Sequence, residues 1–209
     1  MKSLTFHPKA LAFIRIQSPT IKREIGEALR DVQKGISLGL PLSRPMPTVA
    51  SGVHELRVRS VTTVVRVFYF AKVADTIVVF HGFQKKTQKT PTHEIAVGQQ
   101  RLKEVLDGMS KTRKSVTVRT AEDLGRALGL STVDTAEMEF RSELTVALAK
   151  IIQAGQLTHA EIAKHAGTSR TRVTAIANGN THGVSTDVLI RILAATGYRA
   201  EVRVKKAAA

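Results

Sequence analysis

The feature that most constrains the fold lies in the second half of the chain, between residues 158 and 178. Thr158 and Glu161 are spaced as in a capping box, in which each side chain binds the other residue's free backbone N–H at the start of a helix. Gly167 follows where that helix is expected to end, and Ser169 can cap a second helix. The pattern therefore predicts two short helices joined by a tight turn.

The apolar residues of this segment match the requirements of a helix-turn-helix. Ala163 is small where the two helices come closest, and the remaining inward positions are Ile162, Ala166, Val173 and Ile176. A recognition helix presents its open side to the major groove, where arginine makes paired hydrogen bonds to guanine. The predicted DNA-binding residues are Thr158, His159, Ser169, Arg170, Thr171, Arg172 and Thr174. An ordinary helical hairpin with an exposed basic face is the alternative.

The first half of the chain predicts a small α+β domain. Ser18-Pro19 is typical of a helix start, and Gly35 is expected to end that helix. Short β-branched and aromatic runs at 53–58, 62–71 and 77–84 predict an antiparallel sheet, and a last helix is expected from Thr90-Pro91 to about residue 106. The second half predicts an all-α domain with helices at 120–128, 135–154, 158–166, 169–178 and 185–196 and a short strand at 198–204.

A polar and basic segment separates these two patterns. We predict a first domain over residues 1–108, a linker over 109–119 and a second domain over 120–209. The overall fold class is therefore α+β, followed by an all-α helix-turn-helix domain. The first half of the chain is residues 1–108, and the second half is residues 109–209.

Composition narrows the class of partner. The net charge is +15 and the pI is about 10.6, and both halves are basic: residues 1–108 hold 17 Lys and Arg against 8 Asp and Glu. Nucleic acid is the leading expected partner, with an anionic membrane surface second. No segment approaches the roughly 18 apolar residues of a membrane span, and residues 1–10 lack a signal-peptide core. The absence of cysteine excludes disulfides and thiolate metal sites and fits a cytoplasmic location.

A run of lysines directly follows an apolar strand in the first half. Residues 77–80 are apolar, and the chain then continues into Lys85, Lys86, Thr87 and Lys89. Basic side chains packed at the end of a sheet form a rigid cationic surface for a polyanion. His81, inside the strand, is expected to be structural.

The chain resembles both halves of a toxin–antitoxin operon. Residues 1–108 resemble the phage-derived branch of RelE/HigB toxins, most closely at Gly-Val-His-Glu-Leu-Arg (52–57), at Val-Arg-Val-Phe-Tyr (65–69) and in the lysine run. Residues 119–206 resemble HigA-type antitoxins, including 120–125 and 195–199. The resemblance implies a ribosome-dependent mRNA interferase that needs no metal or other cofactor, followed by an antitoxin that represses its own operon. The implied partners are mRNA on the ribosome, operator DNA and a second copy of the chain in a homodimer.

The implied cleavage needs a 2′-hydroxyl deprotonated, the charge of a pentavalent phosphorane stabilised and the leaving 5′-oxygen protonated. Arg57 and Arg66 are the expected phosphate clamps. Lys85, Lys86 and Lys89 are candidates for proton transfer and backbone binding, with Thr87 as a positioning hydroxyl. Strand alternation puts His54 on the face opposite Arg57, and Glu55, on the Arg57 face, is expected to pair with an arginine.

The sequence departs from the toxin pattern in one respect. Some RelE relatives end in a catalytic tyrosine or histidine cluster, and residues 97–108 contain neither. One alternative is therefore a DNA-binding transcriptional regulator whose RelE-like half is catalytically dead and serves as an interaction domain. A second is a general basic nucleoid-binding protein, which would show a steep salt dependence and little sequence preference.

Overall fold

The structure, a computed structural model, describes residues 1–60, 63–73, 75–85, 90–108 and 115–201. Its strands are β1 (Ser3–Phe6), β2 (Ser43–Pro45), β3 (Val53–Arg59), β4 (Val64–Val73), β5 (Thr76–Gln84) and β6 (Val116–Val118). Its helices are α1 (Pro8–Arg15), α2 (Pro19–Gln33), α3 (Thr92–Gly108), α4 (Ala121–Leu128), α5 (Thr132–Gln153), α6 (His159–His165), α7 (Arg170–Ala177) and α8 (Thr186–Ala195). The predicted α+β class, followed by a helical second half, is confirmed.

The six strands form one sheet in the order β2-β3-β4-β5-β1-β6. The predicted antiparallel arrangement is correct for β3, β4 and β5, with β2 added at one edge. It was incomplete, because β1 pairs with β5 in parallel and makes the sheet mixed. β6 lies in the segment predicted as a linker and pairs antiparallel with β1, so part of that segment extends the sheet of the first half.

Local capping explains where the predicted helices begin and end. The Ser18 hydroxyl accepts a hydrogen bond from the Ile21 N–H at 3.4 Å, Pro19 opens α2, and Gly35 follows the helix with a φ of +94° that favours glycine. The capping box of α6 is present: Thr158 accepts from the Glu161 N–H at 3.3 Å and donates its own N–H to the Glu161 carboxylate at 2.8 Å. These contacts confirm both predicted helix starts.

The sheet buries a separate apolar core on each face. On one face α3 covers a cluster that includes Val53, Phe68 and Phe80. On the other face α1 and α2 cover a larger core, which also takes in Leu128 of α4 and Met138 of α5. The two halves of the chain therefore share this larger core, although they were predicted as separate domains joined by a linker.

Polar contacts between α2 and α5 fix the two halves further. Arg30 donates two hydrogen bonds to the Glu139 carboxylate, at 2.7 and 2.9 Å. The Ser142 hydroxyl donates to the buried Asp31 carboxyl at 2.6 Å, and burial raises the pKa of Asp31 well above its usual range. Buried polar groups that are satisfied across an interface hold its register, because separation would leave them unpaired.

The end of the chain differs from the prediction. Residues 198–201, the described part of the strand predicted at 198–204, lie in no strand, and residues 202–204 lie outside the described residues. In the described ranges, none of the helices is both long enough and apolar enough to cross a bilayer.

Candidate nucleic-acid interfaces

The first half carries three arginines around one buried carboxylate. Glu55 is fully buried, and its Oε1 lies 3.2 Å from Nε of Arg44, 3.6 Å from Nε of Arg57 and 3.2 Å from Nε of Arg66. The sheet register brings these residues together, since Arg44 on β2 lies opposite Glu55 on β3, and Arg57 on β3 lies opposite Arg66 on β4. One carboxylate matches only one guanidinium, so this arginine cluster (Arg44, Glu55, Arg57 and Arg66) keeps two positive charges for an anion.

Thr90 completes the support of the cluster. Its hydroxyl donates to Glu55 Oε2 at 3.0 Å and accepts from Arg44 Nη2 at 3.1 Å. Oε2 of Glu55 thus accepts a hydrogen bond from Thr90, while Oε1 faces the three arginines in ion pairs. In the sequence, Thr90 directly follows the predicted lysine run.

Burial changes the acidity of the basic groups here. Arg66 is only 4% exposed, and burial lowers its pKa from the usual value to about 10. The pKa of Lys85 is also lowered, first by partial burial and then by the charge of Arg66. A lysine with a lowered pKa releases a proton more readily, which suits a general acid.

The structure places the predicted catalytic residues as follows. Arg57, Arg66 and Lys85 lie together, whereas Lys86, Thr87 and Lys89 lie outside the described residues. His54 and Arg57 lie on opposite faces of the sheet, as strand alternation predicted. The His54 ring stacks on Tyr69, with ring centroids 5.5 Å apart. The expected pairing of Glu55 with an arginine is confirmed, and it involves three arginines.

Sequence reasoning missed Arg44 and Thr90. Arg44 lies in a three-residue strand between prolines, and Thr90 lies in a connection, so neither belongs to a periodic pattern that predicts its direction. His81 is buried between Glu94 and Arg101, each 2.6 Å from one ring nitrogen, which agrees with the structural role expected for it.

A hollow of about 340 Å³, here called the arginine hollow, opens beside the cluster. Its walls contain residues of both halves of the chain. The residues that line it are Pro41, Leu42, Arg57, Arg59, Arg66, Asn180 and His182. Asn180 and His182 belong to the α7–α8 loop (residues 178–185), so this loop of the second half forms one wall of a basic hollow in the first half.

Several contacts fix the α7–α8 loop against the first half. His182 Nδ1 lies 3.0 Å from the Glu24 carboxylate, and this hydrogen bond raises the pKa of His182. The Gly39 N–H donates to the Asn178 carbonyl at 3.2 Å. Gly179 lies against Ile36 and Leu38 so closely that a Cβ on Gly179 would come within 2.9 Å of either side chain. Its φ of +70° also favours glycine, so the loop needs glycine here for two reasons.

Arg141 of α5 supports the loop from inside the second half. Its Nη2 donates to the carbonyls of Thr181 and Val184, at 3.4 and 2.9 Å, and its Nε binds Glu27 of α2 at 3.0 Å. One buried guanidinium thus joins the loop to both halves of the chain.

The predicted helix-turn-helix is formed by α6 and α7. Ile162 and Ala163 of α6 and Val173 and Ile176 of α7 are buried together with residues of α5 and α8. The Ser169 hydroxyl caps α7 by accepting from the Arg172 N–H at 3.2 Å. The inward positions agree with the prediction made from the apolar pattern.

The predicted DNA-binding residues fall into two groups. Those with exposed side chains are Thr158, Ser169, Arg170, Thr171 and Arg172. The other two, His159 and Thr174, are half-buried and bind each other at 2.9 Å, Nδ1 to Oγ1, between α6 and α7. The start of α7 therefore presents two arginines to solvent.

Two family models match separate parts of the chain. Residues 12–103 match the family model described as Phage derived protein Gp49-like (DUF891), and residues 129–205 match the model described as Helix-turn-helix domain. The chain thus carries a Gp49-like domain followed by a DNA-binding helix-turn-helix domain, an order consistent with a toxin–antitoxin fusion. No significant match was found among curated proteins or solved structures.

Proposed function

We propose that this chain is a toxin–antitoxin fusion of the RelE/HigB and HigA type. Its first half is a ribosome-dependent mRNA endonuclease, and its second half silences that nuclease and represses its own operon. The observation that carries the proposal is the position of the α7–α8 loop, which forms a wall of the arginine hollow through Asn180 and His182.

The arginine cluster suits the chemistry of metal-free RNA cleavage. Attack of a 2′-hydroxyl on the adjacent phosphate builds negative charge on the phosphorane oxygens. Two unmatched guanidinium charges stabilise that charge, and Arg57 and Arg66 are the groups we assign to it. Lys85, with its lowered pKa, protonates the leaving 5′-oxygen. We assign Lys86, Thr87 and Lys89 to substrate positioning and to removal of the 2′-hydroxyl proton on the strength of the resemblance alone.

Silencing follows from the fixed position of the loop. An mRNA strand that reaches Arg57 and Arg66 has to displace Asn180 and His182, and the contacts of Glu24 and Gly39 with the loop oppose this. Both partners are in one chain, so even a weak contact is held at a high effective concentration.

The silent state leaves the predicted DNA-binding surface open. The side chains of Arg170, Thr171 and Arg172 are exposed while the α7–α8 loop is docked. The chain can therefore bind operator DNA and remain silent as a nuclease. Helix-turn-helix proteins commonly read paired half-sites as dimers, and we propose a homodimer for this reason.

The proposal is tested by inducing residues 1–118, which retain β6, alongside the full chain. We expect the fragment to arrest growth and to cut translated mRNA, and the full chain and an Arg57→Ala, Arg66→Ala fragment to do neither. Circular dichroism on the purified fragments establishes that both are folded. A folded fragment that leaves translated mRNA intact would favour the alternative, a DNA-binding regulator with a catalytically dead interaction domain.

A further inference from the structure

The α7–α8 loop lies between two basic surfaces. Asn180 and His182 line the arginine hollow, and they also line a second hollow of about 270 Å³. The other residues of this second hollow include Ser169, Thr171 and Arg172 at the start of α7. The predicted recognition helix and the arginine hollow are therefore neighbours, separated by a single loop.

Arg59 is the exposed end of this basic surface in the first half. It is the last residue of β3, and its side chain lies in the wall of the arginine hollow. Within the described part of the chain, no carboxylate pairs with Arg59, in contrast to Arg44, Arg57 and Arg66, which surround Glu55. Among the described residues, the positive charge of Arg59 is therefore not matched by an ion pair.

His182 connects Arg59 to the recognition helix. Its Nδ1 pairs with Glu24, and its side chain is 42% exposed. The hydrogen bond that His182 donates to Glu24 is the main influence on the pKa of His182 and raises it, whereas the nearby charge of Arg59 lowers it. The side chains of Arg59 and His182 line the same hollow. Among the described residues, neither hollow has an acidic side chain in its lining.

A DNA duplex held by α7 brings phosphates to this surface. The major groove that receives a recognition helix is about 12 Å wide and has a phosphate backbone along each edge. The loop beside α7 also lines the arginine hollow, so we expect the phosphate backbone on that side to run over the loop toward Arg59. Phosphate contacts of this kind add affinity and orientation without sequence preference.

We propose that Arg59 and His182 form a phosphate-binding strip for the DNA duplex that α7 reads, so that the first half of the chain contributes directly to operator binding. The strip rests on the proposed function in one respect, namely that the second half binds operator DNA. It assigns the first half a role in DNA binding that is separate from RNA cleavage.

The test uses the full chain and duplexes that the chain itself selects from a random DNA library. Affinity for a selected duplex and for a scrambled duplex is measured between 50 and 300 mM KCl for the unaltered chain, Arg59→Gln and Arg59→Lys. Arg126→Gln is the control, because Arg126 is an exposed arginine on α4 with a side chain 80% exposed. Thermal unfolding establishes that each variant is folded.

We expect Arg59→Gln to weaken binding to both duplexes by the same factor, roughly five- to tenfold at 100 mM salt, and to reduce the slope of log affinity against log salt by about 1. Arg59→Lys and Arg126→Gln should keep the original slope. The strip is refuted if Arg59→Gln behaves as Arg126→Gln does. It is also refuted if Arg59→Gln loses affinity only for a single-stranded RNA of the same length. Failure of the full chain to select any duplex would refute operator binding itself, and the strip with it.

Discussion

Glu55 Oε1 and Arg66 Nε lie 3.2 Å apart, and both side chains are buried in the sheet of the first half. The pair is the centre of a cluster in which the same carboxylate also meets Arg44 and Arg57. A buried carboxylate surrounded by guanidinium groups keeps them close together despite their repulsion. Glu55 therefore positions the groups that we assign to phosphate binding.

Replacing Glu55→Gln should lower the free energy of unfolding by about 3 to 5 kcal/mol, the usual effect of removing one partner of a buried ion pair. The change keeps the shape of the side chain and leaves three guanidinium groups without a counter-charge. Urea unfolding at neutral pH measures the effect. Glu201→Gln is the control, because Glu201 is an exposed carboxylate near the end of the chain, and we expect a change within about 0.5 kcal/mol. Equal effects of the two changes would show that the cluster is not held by Glu55.

Asp31 gives a pH prediction at the interface of α2 and α5. Its pKa is raised by burial, so the native state retains a proton that the unfolded chain releases. The free energy of unfolding therefore falls as pH rises above the unfolded pKa of the carboxyl. Asp31→Asn keeps the acceptor for Ser142 and should flatten this decline. Urea unfolding at pH 4 and pH 8 measures how far the free energy of unfolding falls in the unaltered chain and in Asp31→Asn. An equal fall in both would contradict a raised pKa at Asp31.

His182 gives a second pH prediction, in which the native state favours the charged form of the side chain. Its pKa is raised above 6.5 by the hydrogen bond to Glu24, so the charged pair contributes stability that is complete below pH 6.5 and is lost as pH rises through the folded pKa. His182→Gln should thus destabilise the chain at about pH 6 and make little difference at about pH 9. His165→Gln, at an exposed position of α6, is the control, and the same pH dependence in both variants would contradict the assignment to the His182–Glu24 pair.

The recognition helix is tested by removing its two exposed arginines. Arg170→Ala together with Arg172→Ala should abolish sequence-specific protection of the operator in footprinting, because the paired hydrogen bonds to guanine are lost. The matched control removes the same charge elsewhere, at Arg126 and Arg191, whose side chains are 80% and 57% exposed. Loss of the footprint in the control as well would mean that total charge, rather than α7, determines binding.

Much of the fold was predictable because its signals are local. The start of α2 at Ser18-Pro19 and the capping box of α6 depend on residues within one turn of each other, and both are present in the structure. β1 and β6 were not predicted, since strands of four and three residues show too little periodicity. Their place in the sheet depends on partners far away in sequence, Thr76–Val79 for the parallel pair of β1.

The candidate site was predictable only in part, for a similar reason. Arg57 and Arg66 lie on adjacent strands of a predicted hairpin, so alternation and pairing bring them together. Arg44 depends on the register of β2, a three-residue strand in a segment that is interrupted by Pro41, Pro45 and Pro47 and has no periodic pattern. The approach of His182 to Glu24 joins residues more than 150 positions apart, and no local rule predicts it.

The central claim is that the α7–α8 loop, as a wall of the arginine hollow, blocks the access of mRNA to Arg57 and Arg66. Gly179 and Gly183 both have positive φ angles, +70° and +67°, so a valine at either position strains the backbone. Only at Gly179 does a Cβ also meet the first half, at Ile36 and Leu38, whereas nothing lies within 4 Å of a Cβ at Gly183. Gly179→Val is therefore expected to release the loop, and Gly183→Val is its matched control.

The most direct measurement is mRNA cleavage in a translating extract by the full chain with either substitution. Hydrogen exchange at the Gly39 N–H, which donates to Asn178, reports whether the loop has been released. We predict that Gly179→Val speeds hydrogen exchange at the Gly39 N–H and that this variant cuts mRNA. Gly183→Val and the unaltered chain should show neither effect. Adding Arg57→Ala and Arg66→Ala to Gly179→Val should stop the cleavage. A Gly179→Val chain with a released loop and no cleavage would contradict the account.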